Sequence, residues 1–353
     1  MSETETKKRR PVKRWIILAL VAAGVYCAFI GPSILKPISP VVVLPGEPTG
    51  LSLFGLPITN TMLATLLSDV ILIILGYKAW RFAKSGELVP SGVTNAFEAI
   101  VEFLWNSVES AAGAKWGKRI VPLVATIFLL IFVANMVKLV PGFESIGSLH
   151  ESPHGEGYAA VKLFSLGELG VYTIDKGQPV ELEHHGEDMT EYAEDGEHST
   201  THGDVPCEAC EVVPWLRGSA TDLNFTIALA VITVVMTQVY GVWSLGMGYF
   251  SKFLPFKDLV SGNPFGVINF AVGFLEIILE FAKILSFAFR LFGNIFAGAL
   301  LLSIIGALVP VIIPAGLYIF EVFFGIIQAY VFFLLAVVFT SGALISHHAE
   351  EHH

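Results

Sequence analysis

The sequence is poor in charged residues and in cysteines, and each shortage excludes a class of protein. Charged side chains make up only 15% of the 353 residues, whereas 54% are hydrophobic. This balance is too apolar for a surface that faces water, so we expect the solvent to be a lipid bilayer. Three cysteines are too few for a disulfide framework. The chain also lacks a GxxxxGK[ST] motif, so we expect no bound nucleotide and no cofactor.

The acidic residues are concentrated in one segment. The formal net charge is −10, which argues against a nucleic-acid partner. Residues 143–215 contain 16 acidic residues and two lysines, so the rest of the chain is mildly basic. The basic residues elsewhere stand near the ends of apolar runs, as topology signals do. We therefore predict an acidic extracytoplasmic insert over residues 143–222.

Four apolar runs before residue 250 predict membrane segments. The first follows basic residues at positions 7–10 and predicts an uncleaved anchor within residues 1–31, with a signal peptide as the alternative. The other three reach the ~20 helical residues that cross a hydrocarbon core, and they occupy residues 59–80, 120–139 and 225–245. The positive-inside rule then places both the N-terminus and the C-terminus in the cytoplasm.

Residues 93–114 show a different pattern, typical of an amphipathic helix. Apolar residues recur there at helical spacing, while glutamates occupy the other face; the apolar positions are Phe97, Ile100, Val101, Leu104 and Val108. We predict that this helix lies along the cytoplasmic face of the membrane. The region 59–142 then holds two membrane helices with this interfacial helix between them.

The region 223–346 contains the longest apolar stretches. Residues 264–308 carry no strong helix breaker, and as one helix they would measure roughly 65 Å, about twice the hydrocarbon thickness. We expect a tilted helix there and a second over residues 315–345, followed by a cytoplasmic tail at 347–353. The predicted fold class is all-α: a polytopic membrane protein with about six membrane helices, including a long tilted hairpin, plus one cytoplasmic amphipathic helix.

Ionisable residues form a stripe on the first of these long helices. Glu276, Lys283 and Arg290 are seven residues apart and therefore share one helix face. Three further polar residues border the stripe: Glu280, Ser286 and Asn294. A surface pair between Glu280 and Lys283 is the structural alternative for those two. Arg290 is different, because apolar residues extend to both sides of a side chain that stays charged.

The last helix carries a second polar face. Tyr318, Glu321, Gly325 and Gln328 follow 3-4-3 spacing and so lie on one side of the helix. Glu321 is the one carboxylate of that span and is a candidate proton carrier. Gln328 does not titrate, but its amide can hydrogen-bond an arginine or a carboxylate.

A metal site in the acidic insert is a separate hypothesis. The candidate zinc ligands are His198, His202, Cys207 and Cys210. The two cysteines form a lone CxxC, and in an extracytoplasmic segment such a pair could equally be a local disulfide.

The stretch FRLFGNIFAG, residues 289–298, strongly resembles the signature of subunit a of F-type ATP synthases. Further parts of the chain support the resemblance: residues 135–141, residues 222–226, Glu276 and Lys283, and residues 325–330. It covers roughly residues 59–345. The N-terminal anchor and most of the acidic insert lie outside it.

The resemblance implies a function and a set of partners. The chain would be the stator ion-translocating subunit of a rotary ATP synthase, a non-catalytic component with two half-channels and an essential Arg290 facing the carboxylates of a rotor ring. Its partners would be the ring of c subunits, the peripheral-stalk b subunits and, indirectly, the soluble F1 ATPase, in a bacterial inner membrane. Glu276 and Glu321 would belong to the outer half-channel, with Asn294 and Gln328 near the arginine.

The sequence departs from the family at two positions. Some members carry a carboxylate nine residues after the arginine and a histidine seven before the glutamine, where this chain has Ala299 and Glu321. We expect the carboxylate to have moved between helices while remaining in the same channel. Two other classes of protein stay open at this point. One is a freestanding secondary transporter or ion channel, although the sequence shows no internal repeat of the kind found in many transporters. The other is a membrane-bound metalloenzyme.

Overall fold

The structure is a computed structural model. It describes residues 46–53, 55–85, 92–140, 142–152, 156–166, 169–174, 180–181, 207, 209–253, 266–308 and 312–344, together with the isolated positions 18, 22 and 26. The predicted tail at 347–353 and the predicted anchor, apart from those three positions, lie outside the described residues. So does the segment that holds His198 and His202.

Five long helices dominate the described residues. They are α1 (Asn60–Ser85), α2 (Val93–Val137), α3 (Leu223–Leu245), α4 (Gly266–Leu308) and α5 (Ile312–Ala343). Each is long and apolar enough to cross a membrane. The prediction of an all-α polytopic membrane protein is therefore confirmed.

Helix α2 contains the two elements that the sequence predicted over residues 93–114 and 120–139. The interfacial helix and the following span form one element, interrupted at Gly113, whose backbone has φ 72° and ψ 162°. A side chain would be strained at that φ, so glycine permits the break. In the first half, Leu104 and Val108 are fully buried while Glu98 and Glu102 are exposed, so the predicted apolar face is the less exposed face.

Helix α5 starts earlier than predicted. It begins at Ile312 rather than at residue 315, and Pro314 lies in its first turn. Proline is tolerated there because the first turn has backbone N–H groups without an acceptor in the helix. The long α4, by contrast, has nearly the predicted bounds.

The chain forms two compact units. The larger comprises Val43–Glu144, Leu216–Ala299 and Phe320–His353, and the smaller includes Ser145–Trp215 and Leu300–Ile319. In the larger unit, aromatic side chains of α2, α4 and α5 form the core. Phe287 lies 4.7 Å from Phe332 between ring centroids, and Phe128 meets Phe333 edge-on at 5.9 Å.

The acidic insert contains β-strands that were not predicted from the sequence. In the smaller unit, β3 (Gly147–Glu151) pairs with β8 (Cys210–Pro214), β4 (Glu156–Gly157) with β7 (Val180–Glu181), and β5 (Ala160–Leu166) with β6 (Leu169–Ile174), all antiparallel. In the larger unit, a hairpin of β1 (Pro48–Leu53) and β2 (Leu56–Thr59) precedes α1. Each of these sheets has only two strands.

Candidate functional site

The packing of α4 determines where Arg290 points. Phe287, Ala288, Leu291 and Ile295 are all at most 4% exposed, so this face of α4 lies in the core. Arg290 lies on the opposite face and is exposed. Burial of the apolar face therefore turns the guanidinium outward.

The charge of Arg290 is not neutralised within the described part of the chain. Its Nη2 donates a hydrogen bond to Ser286 Oγ at 3.4 Å, one turn earlier on the same helix. No carboxylate among the described residues lies within ion-pair distance of the guanidinium. The site thus presents a permanent cation at the surface of a membrane helix.

The surface around Arg290 is made of small residues. Ser286, Gly293 and Ala297 occupy positions four before, three after and seven after the arginine, on the same face of α4. A Cβ built on Gly293 would meet no atom within 4 Å, so this surface is open. Small residues let a second helix approach closely in a membrane.

A side-chain amide pair joins α4 to α5 close to the arginine. Asn294 Nδ2 donates to Gln328 Oε1 at 3.3 Å. Gln328 is 4% exposed, and its Nε2 is buried without a hydrogen-bond acceptor among the described residues. The two residues predicted to lie near the arginine are therefore in contact with each other, and the amide retains an unused donor.

A buried ion pair contacts α4 about two turns after Arg290. Lys138 Nζ is 3.0 Å from Glu321 Oε1, and the two side chains are 7% and 9% exposed. The same Oε1 lies against Gly298 of α4, where an added Cβ would come within 2.8 Å of it. The carboxylate of α5 thus reaches α4 one residue before Ala299, as expected if it had moved between helices.

Before Arg290 in chain order lies a second ion pair. Lys283 Nζ contacts Glu280 Oε1 at 2.7 Å, with side chains 22% and 13% exposed. Both residues are on α4, so this is the surface pair that the sequence offered as an alternative. Glu276 is half-buried one turn before Glu280.

The CxxC of the insert forms a disulfide between Cys207 and Cys210. Of the two alternatives for these cysteines, the structure has the disulfide, and a disulfide sulfur does not supply a thiolate ligand. No group of three metal-ligating side chains is found among the described residues. His198 and His202 lie outside them.

Lys138 is the site residue that the sequence analysis missed. The sequence analysis used Lys138 only as one of residues 135–141, which support the family resemblance. Its partner Glu321 is 183 residues away in the sequence. Its signal in the sequence is weak but present: it is the one charged residue between Arg119 and Glu144. Asn135, one turn earlier, donates to the backbone carbonyl of Gly325 at 3.3 Å, which fixes this end of α2 against α5.

Known proteins are similar to most of this chain in sequence. A family model described as ATP synthase A chain matches residues 62–341. ATP synthase subunit a of Mycobacterium ulcerans (strain Agy99) is 27% identical over 301 residues, which cover 84% of this chain and 90% of that protein. The Mycobacterium leprae (strain TN) subunit is 26% identical over 315 residues, covering 87% and 94%.

A sodium-specific relative is similar to the same degree. A Propionigenium modestum protein described as ATP synthase subunit a, sodium ion specific, is 27% identical over 294 residues, which cover 82% of this chain and 76% of that protein. The family match includes Arg290, both ion pairs and the amide pair. This chain therefore belongs to the ATP synthase A chain family.

Proposed function

We propose that this chain is the stationary ion-translocating subunit of a rotary F-type ATP synthase and a non-catalytic component of that complex. The observation that carries the proposal is the outward guanidinium of Arg290, which has no counter-charge among the described residues. An unpaired charge in the middle of a membrane helix costs about 2.5–3.5 kcal/mol on insertion scales. A carboxylate on a neighbouring rotor subunit would remove that penalty.

The open surface beside Arg290 suits such a neighbour. Ser286, Gly293 and Ala297 leave room for a rotor helix to approach α4. Close approach brings the rotor carboxylate within reach of the guanidinium in a medium of low dielectric, where charge attraction is strong. Arg290 thereby favours the ionised rotor carboxylate.

The fixed charge also separates two ion pathways. A cation is repelled by Arg290 and does not pass it directly, so it must bind a rotor carboxylate and travel with the ring. Each unit charge that crosses a potential of 100 mV supplies about 2.3 kcal/mol. The rotor delivers this work as torque to the soluble F1 ATPase.

The two ion pairs lie on opposite sides of Arg290 along α4. At 1.5 Å per residue, Glu276 lies about 21 Å before the arginine and Gly298, which contacts Glu321, about 12 Å beyond it. The family resemblance implied that Glu276 and Glu321 both belong to the outer half-channel. Because they lie on opposite sides of Arg290, we instead assign Glu276, Glu280 and Lys283 to the inner half-channel and Glu321 to the outer one.

The orientation follows from the positive-inside rule. Lys252 and Lys257 precede α4, so its first residues face the cytoplasm and its last face the outside. The N- and C-termini are then both cytoplasmic, in the inner membrane of a bacterium. The proposed direct partners are the rotor ring of c subunits and the b subunits of the peripheral stalk.

Substitution of Arg290 tests the proposal. In membrane vesicles that carry the assembled complex, Arg290→Ala should abolish both proton-driven ATP synthesis and ATP-driven proton pumping, because the rotor carboxylate loses its counter-charge. Arg81→Ala is the matched control, since Arg81 is another exposed arginine on a membrane helix. Its rates should equal those of the wild type.

Purification of the complex provides the second measurement. The wild-type chain and the Arg290→Ala variant should both copurify with a rotor ring and an ATPase head. A chain that purifies alone yet conducts ions would be a freestanding channel or transporter. Normal synthesis by Arg290→Ala would equally contradict the proposal.

A further inference from the structure

The Lys138–Glu321 ion pair is unusual for its burial. With side chains 7% and 9% exposed, both charges are removed from solvent, and the pair joins the end of α2 to α5. Buried ion pairs contribute little net stability, because desolvation offsets the attraction between the charges. Stability alone therefore gives little reason for charges here.

The position of the pair relates it to ion transfer. The Glu321 oxygen that Lys138 contacts is the same oxygen that lies against Gly298 of α4. One helical turn before Gly298, Asn294 contacts the buried Gln328. The ion pair and the amide pair thus lie on the same side of Arg290, separated by about 10 Å along α5 between Glu321 and Gln328.

We infer that Lys138 is the positioning residue of the outer proton path, holding the Glu321 carboxylate against α4 between proton deliveries. The inference rests on the proposed function and adds to it a residue that controls the access of protons from the outer side. Lys138 acts only through its charge and its hydrogen bond to Glu321.

The proton balance of one cycle is simple. A proton from outer water binds a Glu321 oxygen, which neutralises the carboxylate and releases the ammonium of Lys138 from its partner. The carboxyl group then gives this proton to an ionised rotor carboxylate. Glu321 becomes an anion again, the ion pair with Lys138 reforms, and one proton has moved from water to the rotor.

Few other charged groups face this pair. From the loop after α2, Glu144 accepts a hydrogen bond from the Gly218 backbone at 3.1 Å, and both its Oε1 and the Lys138 stem lie within 3.6 Å of a Cβ built on Gly218. Helix α4 contributes Gly298, which carries no titratable group. Among the described residues, Lys138 is therefore the charge in contact with Glu321, and Glu144 is a carboxylate close to the Lys138 side chain.

The test compares two lysines in vesicles carrying the whole complex, with outer and inner pH set separately. Lys138→Met should slow proton-driven ATP synthesis by roughly tenfold to a hundredfold, the cost of misplacing a group that takes part in a reaction. It should change the dependence of the rate on outer pH and leave the dependence on inner pH intact. Lys138→Arg keeps the charge and should retain most of the rate.

Lys283→Met is the matched control, because Lys283 forms the other ion pair, on the inner side of Arg290. It should affect only the dependence on inner pH. If Lys138→Met altered both dependences equally, or neither, the inference would be overturned. A failure of the proposed function would instead be seen in the Arg290→Ala variant, as a normal rate of ATP synthesis.

Exchanging the two charges tests whether the ion pair positions the Glu321 carboxylate or only holds α2 against α5. The double variant Lys138→Glu with Glu321→Lys restores an ion pair between α2 and α5 but moves the carboxylate away from Gly298. We expect the swapped complex to assemble and to conduct poorly. Wild-type conduction by the swap would show that the pair only holds two helices together, which contradicts the inference.

Discussion

The carboxylate of Glu321 in α5 lies against the backbone of Gly298 in α4, so closely that a Cβ on Gly298 would stand 2.8 Å from its Oε1. The contact exists because residue 298 has no side chain. Glu321 is held on its other side by Lys138 at 3.0 Å, which limits how far it can move away.

Gly298→Ala should therefore lower the rate of proton-driven ATP synthesis several-fold. In an open helix the same change adds about 0.5–1 kcal/mol of stability, because alanine is the better helix former. Here the added methyl displaces the carboxylate from its place. Gly316→Ala in α5 is the matched control, since no atom lies within 4 Å of its added Cβ; equal rates for both variants would contradict the prediction.

Glu321→Gln should slow synthesis strongly, because an amide does not take up and release a proton. The variant also leaves the buried ammonium of Lys138 without a counter-charge, which in comparable cases destabilises a protein by about 3–5 kcal/mol. Assembly must therefore be checked by copurification of the ring, and the rate given per assembled complex. Glu98→Gln, at an exposed position of α2, should leave the rate unchanged.

Phe287→Ala should lower the thermal stability of the purified protein in detergent. Phe287 is 2% exposed and packs on Phe332 with 4.7 Å between ring centroids. In soluble cores the loss is about 3–5 kcal/mol, and we expect less here because the driving force from water is reduced among lipid-like solvents. Phe281→Ala, on the same helix but 66% exposed, should cost far less.

Reduction should expose two thiols per chain in the insert. Because Cys207 and Cys210 form a disulfide, maleimide labelling of the denatured protein should rise by two groups after reduction. With Mg²⁺ kept in excess for the ATPase head, a zinc-selective chelator should leave ATP synthesis unchanged, since a disulfide supplies no thiolate ligand. Labelling that does not change on reduction, with activity lost to this chelator, would favour the metal site instead.

The sequence predicted the helical spans because apolar runs of membrane length have a single structural solution in lipid. It also predicted Arg290, since a lone guanidinium in an apolar helix has few structural explanations. It also predicted a helix end near residue 114, and the structure has its break at Gly113; the positive φ of that glycine could not be read from the sequence, since a glycine inside a helical pattern is often regular.

The partner of each polar residue depends on tertiary contacts and was harder to predict. Spacing on α4 suggested the Glu280–Lys283 pair, which is local. The Lys138–Glu321 pair joins residues 183 positions apart, and no periodicity links them. The strands of the insert were missed for another reason: isolated two-stranded hairpins need little of the alternating apolar pattern that marks a sheet with a core.

The exposed guanidinium of Arg290 bears on biogenesis as well as transport. A newly inserted copy of the chain that has not met its rotor keeps an unsatisfied cation within the bilayer, and each such copy lies in a less favourable state than an assembled one. Under the proposed function, docking to the rotor relieves this instability, so Arg290 also favours assembly of the complex and disfavours accumulation of unassembled subunits.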